Sequence, residues 1–124
     1  MKEKKLLELV GHWQEFLGLS HWEIGVDFDT ATDANATVWR PHYYDKGVVI
    51  TLNSEWRTWD SQRANEIIVH ELLHLVLRDL EVAMDSVERL VPKKAWVALN
   101  ARFDHEIEGA VDRLALKFVE LANS

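Results

Sequence analysis

Along the first stretch of the chain, Leu6, Leu9, Val10, Trp13, Phe16 and Leu17 recur at three- and four-residue spacing, with mostly charged or polar residues between them. That period belongs to one face of an α-helix, so the pattern predicts a helix over roughly Lys4 to Leu17, with Gly18 as its stop. The period then changes. Trp22, Ile24, Val26 and Phe28 alternate with Glu23, Gly25, Asp27 and Asp29, which predicts a half-buried strand over His21 to Asp27. The polar stretch Asp29 to Asn35 reads as a turn, and the short β-prone segment Ala36 to Arg40, ahead of Pro41, as a second strand. After a further turn at Asp45-Lys46-Gly47, the run Val48-Val49-Ile50-Thr51-Leu52 has the strongest β propensity in the chain. The three strands are expected to form a small antiparallel sheet.

From Asp60 or Ser61, either of which can cap a helix N-terminus, the pattern turns helical and carries a nearly all-apolar body from Ile67 to Leu77. Such a helix should be buried. A last helix is expected from Lys93, just after Pro92, to about Leu121. The expected fold class is therefore α+β, with an N-terminal helix, a three-stranded antiparallel sheet, a buried helix and a long C-terminal helix. The length of 124 residues allows a single domain over residues 1–124 with its own core.

Composition narrows the chemistry. Hydrophobic residues make up 48% and charged residues 28%, the balance of a folded globular chain. There is no cysteine, so a metal would have to be held by His, Asp or Glu. A net charge of −7, with no basic stripe to offset it, makes nucleic acid an unexpected partner. No apolar run approaches the roughly 20 residues needed to cross a bilayer. Glu8, Gly11, His12, Gln14 and Glu15 interrupt what would be the apolar core of a signal peptide. A cytoplasmic location with no membrane partner is the expectation.

Within the buried helix stands His70-Glu71-Leu72-Leu73-His74. Histidines four apart share one helical face and can direct imidazole nitrogens at one ion, while Glu71 lies close to the same face without being a ligand. This H-E-x-x-H spacing suits zinc, which lowers the pKa of bound water to about 7 while the glutamate takes its proton during attack on a carbonyl. On an ordinary helix the same residues would be two imidazoles and a carboxylate desolvated among Ile67, Ile68, Val69, Leu75, Val76 and Leu77. A metal satisfies all three at once.

A catalytic zinc site needs a third protein ligand. The last helix offers His105, Glu106 and Glu108. At about 100° per residue, Phe103, Ile107, Ala110, Val111, Leu114, Ala115 and Phe118 form an apolar arc with Glu108 at its edge. Glu106 falls among Arg102, Arg113 and Lys117, where a solvated carboxylate belongs. Glu108 is taken as the third ligand and His105 as the alternative ligand or proton donor. Asp112, one turn beyond Glu108, is taken as the carboxylate that accepts a hydrogen bond from a ligand imidazole.

The combination His70-Glu71-x-x-His74 followed by Glu108-x-x-x-Asp112 resembles the gluzincin pattern of thermolysin-type peptidases. The order of elements also resembles the minimal, stand-alone gluzincins of prokaryotes and their phages, across nearly the whole chain. The resemblance implies a zincin-like fold, a zinc cofactor and a polypeptide substrate that pairs with an edge strand, here expected at Val48 to Asn53. Leu77 and Leu80 stand where metzincins carry glycine and a third histidine, which sets that family aside. Gluzincins commonly add a Tyr or His donor near the zinc, for which His42, Tyr43, Tyr44 and His105 are candidates. The expected function is a zinc metallopeptidase with Glu71 as general base. The rival expectation is a metal-binding regulatory or interaction domain with little or no proteolytic activity.

Overall fold

Gly18 ends the first helix where the periodicity breaks, as the computed structural model, which describes residues 1–30, 36–39 and 47–123, makes visible. Helix α1 spans Glu3–Phe16. Gly18 adopts φ +74°, a left-handed conformation that costs a residue with a Cβ about 1–2 kcal/mol. Its N–H donates to the Glu15 carbonyl at 3.1 Å, and the Leu19 N–H donates to the Gln14 carbonyl at 2.8 Å. This pair of bonds is a Schellman cap, and the buried Leu19 supplies the apolar contact that accompanies it. The Gln14 side chain donates to the carbonyls of Leu19 and Trp22 at 3.1 and 2.7 Å, fixing the turn into the first strand.

Three strands follow: β1 (Glu23–Thr30), β2 (Ala36–Trp39) and β3 (Gly47–Asn53). Of the expected turns, residues 31–35 and 45–46 lie outside the described residues, as does Arg40 at the end of the second expected strand, while Asp29 belongs to β1 and Gly47 to β3. The strands are found, but two expectations about the sheet are overturned. The order is β1-β3-β2, with β1 parallel to β3 and β2 antiparallel to it. The sheet is therefore mixed rather than antiparallel. For the same reason β3 is the central strand, and the edges are β1 and β2, so the assignment of Val48 to Asn53 as a substrate-pairing edge does not hold. Alternation reveals which face of a strand is buried, and it is the same for both pairing directions.

The register explains the core. Ile24 lies beside Val48 and Val26 beside Ile50 across the parallel pair, so the inward residues of the two strands stay in phase. In β3, Val48, Ile50 and Leu52 are buried, and the alternate residues Val49 and Thr51 are only partly exposed. The alternation marks the face of β3 that meets the core.

After a 3-10 turn over Ser54–Thr58, helix α2 (Ser61–Val76) begins at Asp60, whose carboxylate accepts from the Arg63 N–H at 2.8 Å. That satisfies one of the free donors of the first turn. Its apolar residues Ile67, Ile68, Val69, Leu72, Leu73 and Leu75 are buried, and the helix packs against α1, β2 and the C-terminal helix. The Trp13 indole of α1 donates to the Asn65 side chain of α2 at 2.6 Å. The buried residues of all these elements form one hydrophobic cluster.

Helix α3 (Arg78–Ser86) follows α2 with only Leu77 between them. It was not among the elements expected from the pattern, and it makes the chain more helical than anticipated. Leu77, at φ −93° and ψ 8°, sits in the bridge region and breaks the helical path. Arg78 is buried, with its guanidinium carbon 5.0 Å from the centre of the Trp22 ring, a geometry for cation–π attraction that anchors the start of α3. A second 3-10 turn over Val87–Leu90 leads to helix α4 (Lys93–Ala122). Only the C-terminal half of α4 contributes fully buried residues, Val111, Ala115 and Val119, spaced one turn apart on one face. No helix among the described residues is long and apolar enough to cross a membrane.

Candidate metal centre

Two helices meet at the site. On α2, His70 and His74 are four residues apart and half-buried, with ring centroids 5.2 Å apart. On α4, burial of Val111 and Ala115 against α2 leaves Glu108 and Asp112 along the margin of the helix–helix seam, their side chains 52% and 63% exposed. The seam thus brings together residues 34 to 42 positions apart in the chain.

The Glu108 carboxylate straddles both imidazoles. Its Oε2 lies 3.3 Å from His70 Nε2 and its Oε1 lies 2.8 Å from His74 Nε2. The three side chains each offer a ligand atom within 4.8 Å of the others, the one group of convergent metal-ligating side chains among the described residues. For zinc bonds of about 2.0–2.1 Å in a tetrahedron, neighbouring ligand atoms stand roughly 3.3 Å apart. The two imidazoles contact different oxygens of Glu108, at 3.3 and 2.8 Å, so a single carboxylate oxygen acting as ligand would have to settle between the two rings. Two imidazoles and a carboxylate form a donor set that fits zinc.

Each imidazole uses its other nitrogen on a second carboxylate. His70 Nδ1 lies 2.8 Å from Asp112 Oδ1, and His74 Nδ1 lies 2.9 Å from Glu81 Oε1. A carboxylate only accepts, so each Nδ1 donates in its pair, while both Nε2 atoms converge on Glu108 and that of His74, at 2.8 Å, shares a proton with it. Asp112 stands where the sequence pattern puts an outer carboxylate. Glu81, on α3, was missed. It is seven residues after His74, which is the same helical face two turns on, but in an unbroken helix that is roughly 10 Å away. The break at Leu77 makes the contact.

Glu71 is buried, its side chain only 10% exposed, with Oε1 3.9 Å from His70 Nε2. It lies beside the cluster without being one of its converging donors. His105 is exposed on α4 and is not part of the cluster. Glu106 pairs with Arg102 at 3.1 Å on the outer face of α4. Of the other candidate donors, His42, Tyr43 and Tyr44 lie outside the described residues.

The electrostatics single out His74. Its pKa is raised above the ordinary 6.5, chiefly by the hydrogen bond to Glu81, against the opposing effect of burial and with further support from the charges of Glu108, Glu81 and Glu71. Held between two carboxylates at 2.8 and 2.9 Å, the ring is set up to carry positive charge. Beside it opens a cleft of about 370 Å³, lined by His74, Glu81, Asp85, Asn100, Phe103, Asp104, Ile107 and Glu108.

No protein-family model matches the chain, and neither does any curated protein or solved structure.

Proposed function

We propose that the chain is a zinc-dependent peptidase in which His70, His74 and Glu108 hold the ion and Glu71 is the general base. One observation carries this reading: the Nε2 atoms of His70 and His74 converge on the Glu108 carboxylate while each Nδ1 is tied to a separate carboxylate. A cation among these three donors would take the place of the proton that His74 now shares with Glu108, and would balance a cluster rich in negative charge. The gluzincin resemblance rests on the same residues, His70, Glu71, His74, Glu108 and Asp112.

Bound zinc supplies a Lewis acid that lowers the pKa of coordinated water to about 7 and polarises a carbonyl. Glu71, buried next to His70, accepts a proton during attack and returns it to the leaving amine. Asp112 and Glu81 hold the imidazole rings in the tautomer that leaves Nε2 free to ligate. The substrate in this reading is a polypeptide. The cleft beside His74 can receive one of its side chains, and β2, an edge strand in contact with α2, can pair with an extended backbone.

The test is hydrolysis of a denatured protein by the zinc-loaded chain and by Glu71→Gln, with bound zinc measured in both. The expected outcome is equal zinc in the two and loss of hydrolysis in the variant by at least about 100-fold, the scale of general-base catalysis. Zinc bound by both with equal or no hydrolysis would overturn the peptidase reading and favour a metal-binding domain without catalysis.

A further inference from the structure

We infer that Glu81 is a positioning residue for His74, and that α3 serves to deliver it. This rests on the metal-centre reading above and extends it to a residue outside the H-E-x-x-H and glutamate-helix pattern.

His74 lies in the last turn of α2, where the helix is about to end at Val76. Helix α3 starts immediately after Leu77, and Glu81, in its first turn, accepts from His74 Nδ1 at 2.9 Å. Both side chains of this pair are mostly withdrawn from solvent, 16% exposed for His74 and 22% for Glu81, whereas Asp112, the partner of His70, is 63% exposed. A hydrogen bond shielded from water holds its geometry better than one that water competes for. Glu81 is therefore the more effective of the two orienting carboxylates.

The position of Glu81 is itself set by the fold. Arg78, at the start of α3 and one turn before Glu81, is buried against the Trp22 ring at 5.0 Å. Trp22 is in turn part of the core and immediately precedes β1. Arg78 and Glu81 are three residues apart on α3, so the helix links the start of the sheet, through Arg78 on Trp22, to Glu81 on His74. Asp85 is the natural control: it is one turn further along α3 and lines the same cleft, so its removal changes the local charge equally and leaves the His74 bond intact.

The experiment measures the zinc dissociation constant of the full chain by competition with a chromophoric chelator, for wild type, Glu81→Ala, Glu81→Gln, Asp112→Ala and Asp85→Ala. Loss of an orienting partner costs 10- to 100-fold in metal affinity. Glu81→Ala should weaken zinc by that factor and more than Asp112→Ala does. Asp85→Ala should change it by less than about threefold, as a screened surface charge would. Glu81→Gln keeps an acceptor for the Nδ1–H and should recover part of the loss. The visible spectrum of the cobalt-substituted protein should change in Glu81→Ala and resemble wild type in Glu81→Gln. Zinc bound by wild type and Glu81→Ala with equal affinity would overturn the role of Glu81 while leaving the metal centre standing, as would equal losses in Glu81→Ala and Asp85→Ala. Failure of wild type itself to bind zinc would overturn the metal centre and this inference with it. Far-ultraviolet circular dichroism of the metal-free variants verifies that they are folded.

Discussion

Replacing Glu108 with alanine tests whether the third donor comes from the α2–α4 seam. Glu108 is the residue that joins the two imidazoles, at 3.3 and 2.8 Å from their Nε2 atoms, so its removal leaves two donors on a single helix. Zinc binding to four-ligand sites is worth about 10–16 kcal/mol, or about 3 kcal/mol per ligand, and each 1.4 kcal/mol is a factor of ten. Glu108→Ala should therefore weaken zinc by at least about 100-fold, read as the ratio of dissociation constants. His105→Ala is the counterpart, because His105 is exposed and outside the convergent group, and it should keep full zinc content. Metal analysis after dialysis, with chelator competition for the constants, reads both. Because the Glu108 side chain is about half exposed, losing its pairing with the imidazoles should cost the metal-free variant no more than about 1 kcal/mol. Loss of zinc in His105→Ala with retention in Glu108→Ala would refute the reasoning and make His105 the ligand.

Two further outcomes are expected. The raised pKa of His74 means that its charged form stabilises the metal-free fold: this contribution is complete below the ordinary 6.5 and is lost as pH rises through the raised value. Zinc requires the neutral imidazole, so its stabilising effect should run the other way, and thermal unfolding with and without zinc across that window should give an increasing difference as pH rises; a constant difference would contradict it. Ile68→Ala, in a residue 1% exposed at the middle of α2, should cost about 2–5 kcal/mol in urea unfolding of the metal-free protein. A change below about 1 kcal/mol would mean that this part of the core is not tightly packed.

The helical parts of the protein were legible because helical order is local. The three- and four-residue spacing of Leu6, Val10 and Trp13 and the Gly18 stop sit in one stretch of chain, and α1, α2 and α4 occupy close to the expected ranges. The site was legible for the same reason. His70, Glu71 and His74 are fixed relative to one another by helix geometry alone, and so are Glu108 and Asp112, whose place at the edge of an apolar arc follows from counting residues. Only one long-range fact had to be supplied, that the two arcs face each other. Burial of Val111 and Ala115 against α2 supplies it.

What the sequence by itself determined, then, is which residues share a face: the strands, the three main helices, and the two sets of polar residues that the seam unites. The tertiary structure alone decided how separate segments meet. Strand order and direction depend on which edges the chain crosses between β1, β2 and β3, and residue alternation is blind to that, so the mixed sheet with β3 at its centre could not be read from periodicity. Helix α3 and Glu81 were hidden for a related reason. Along a continuous helix Glu81 is too far from His74 to touch it, and only the break at Leu77, with Arg78 packed on Trp22, brings its carboxylate to 2.9 Å.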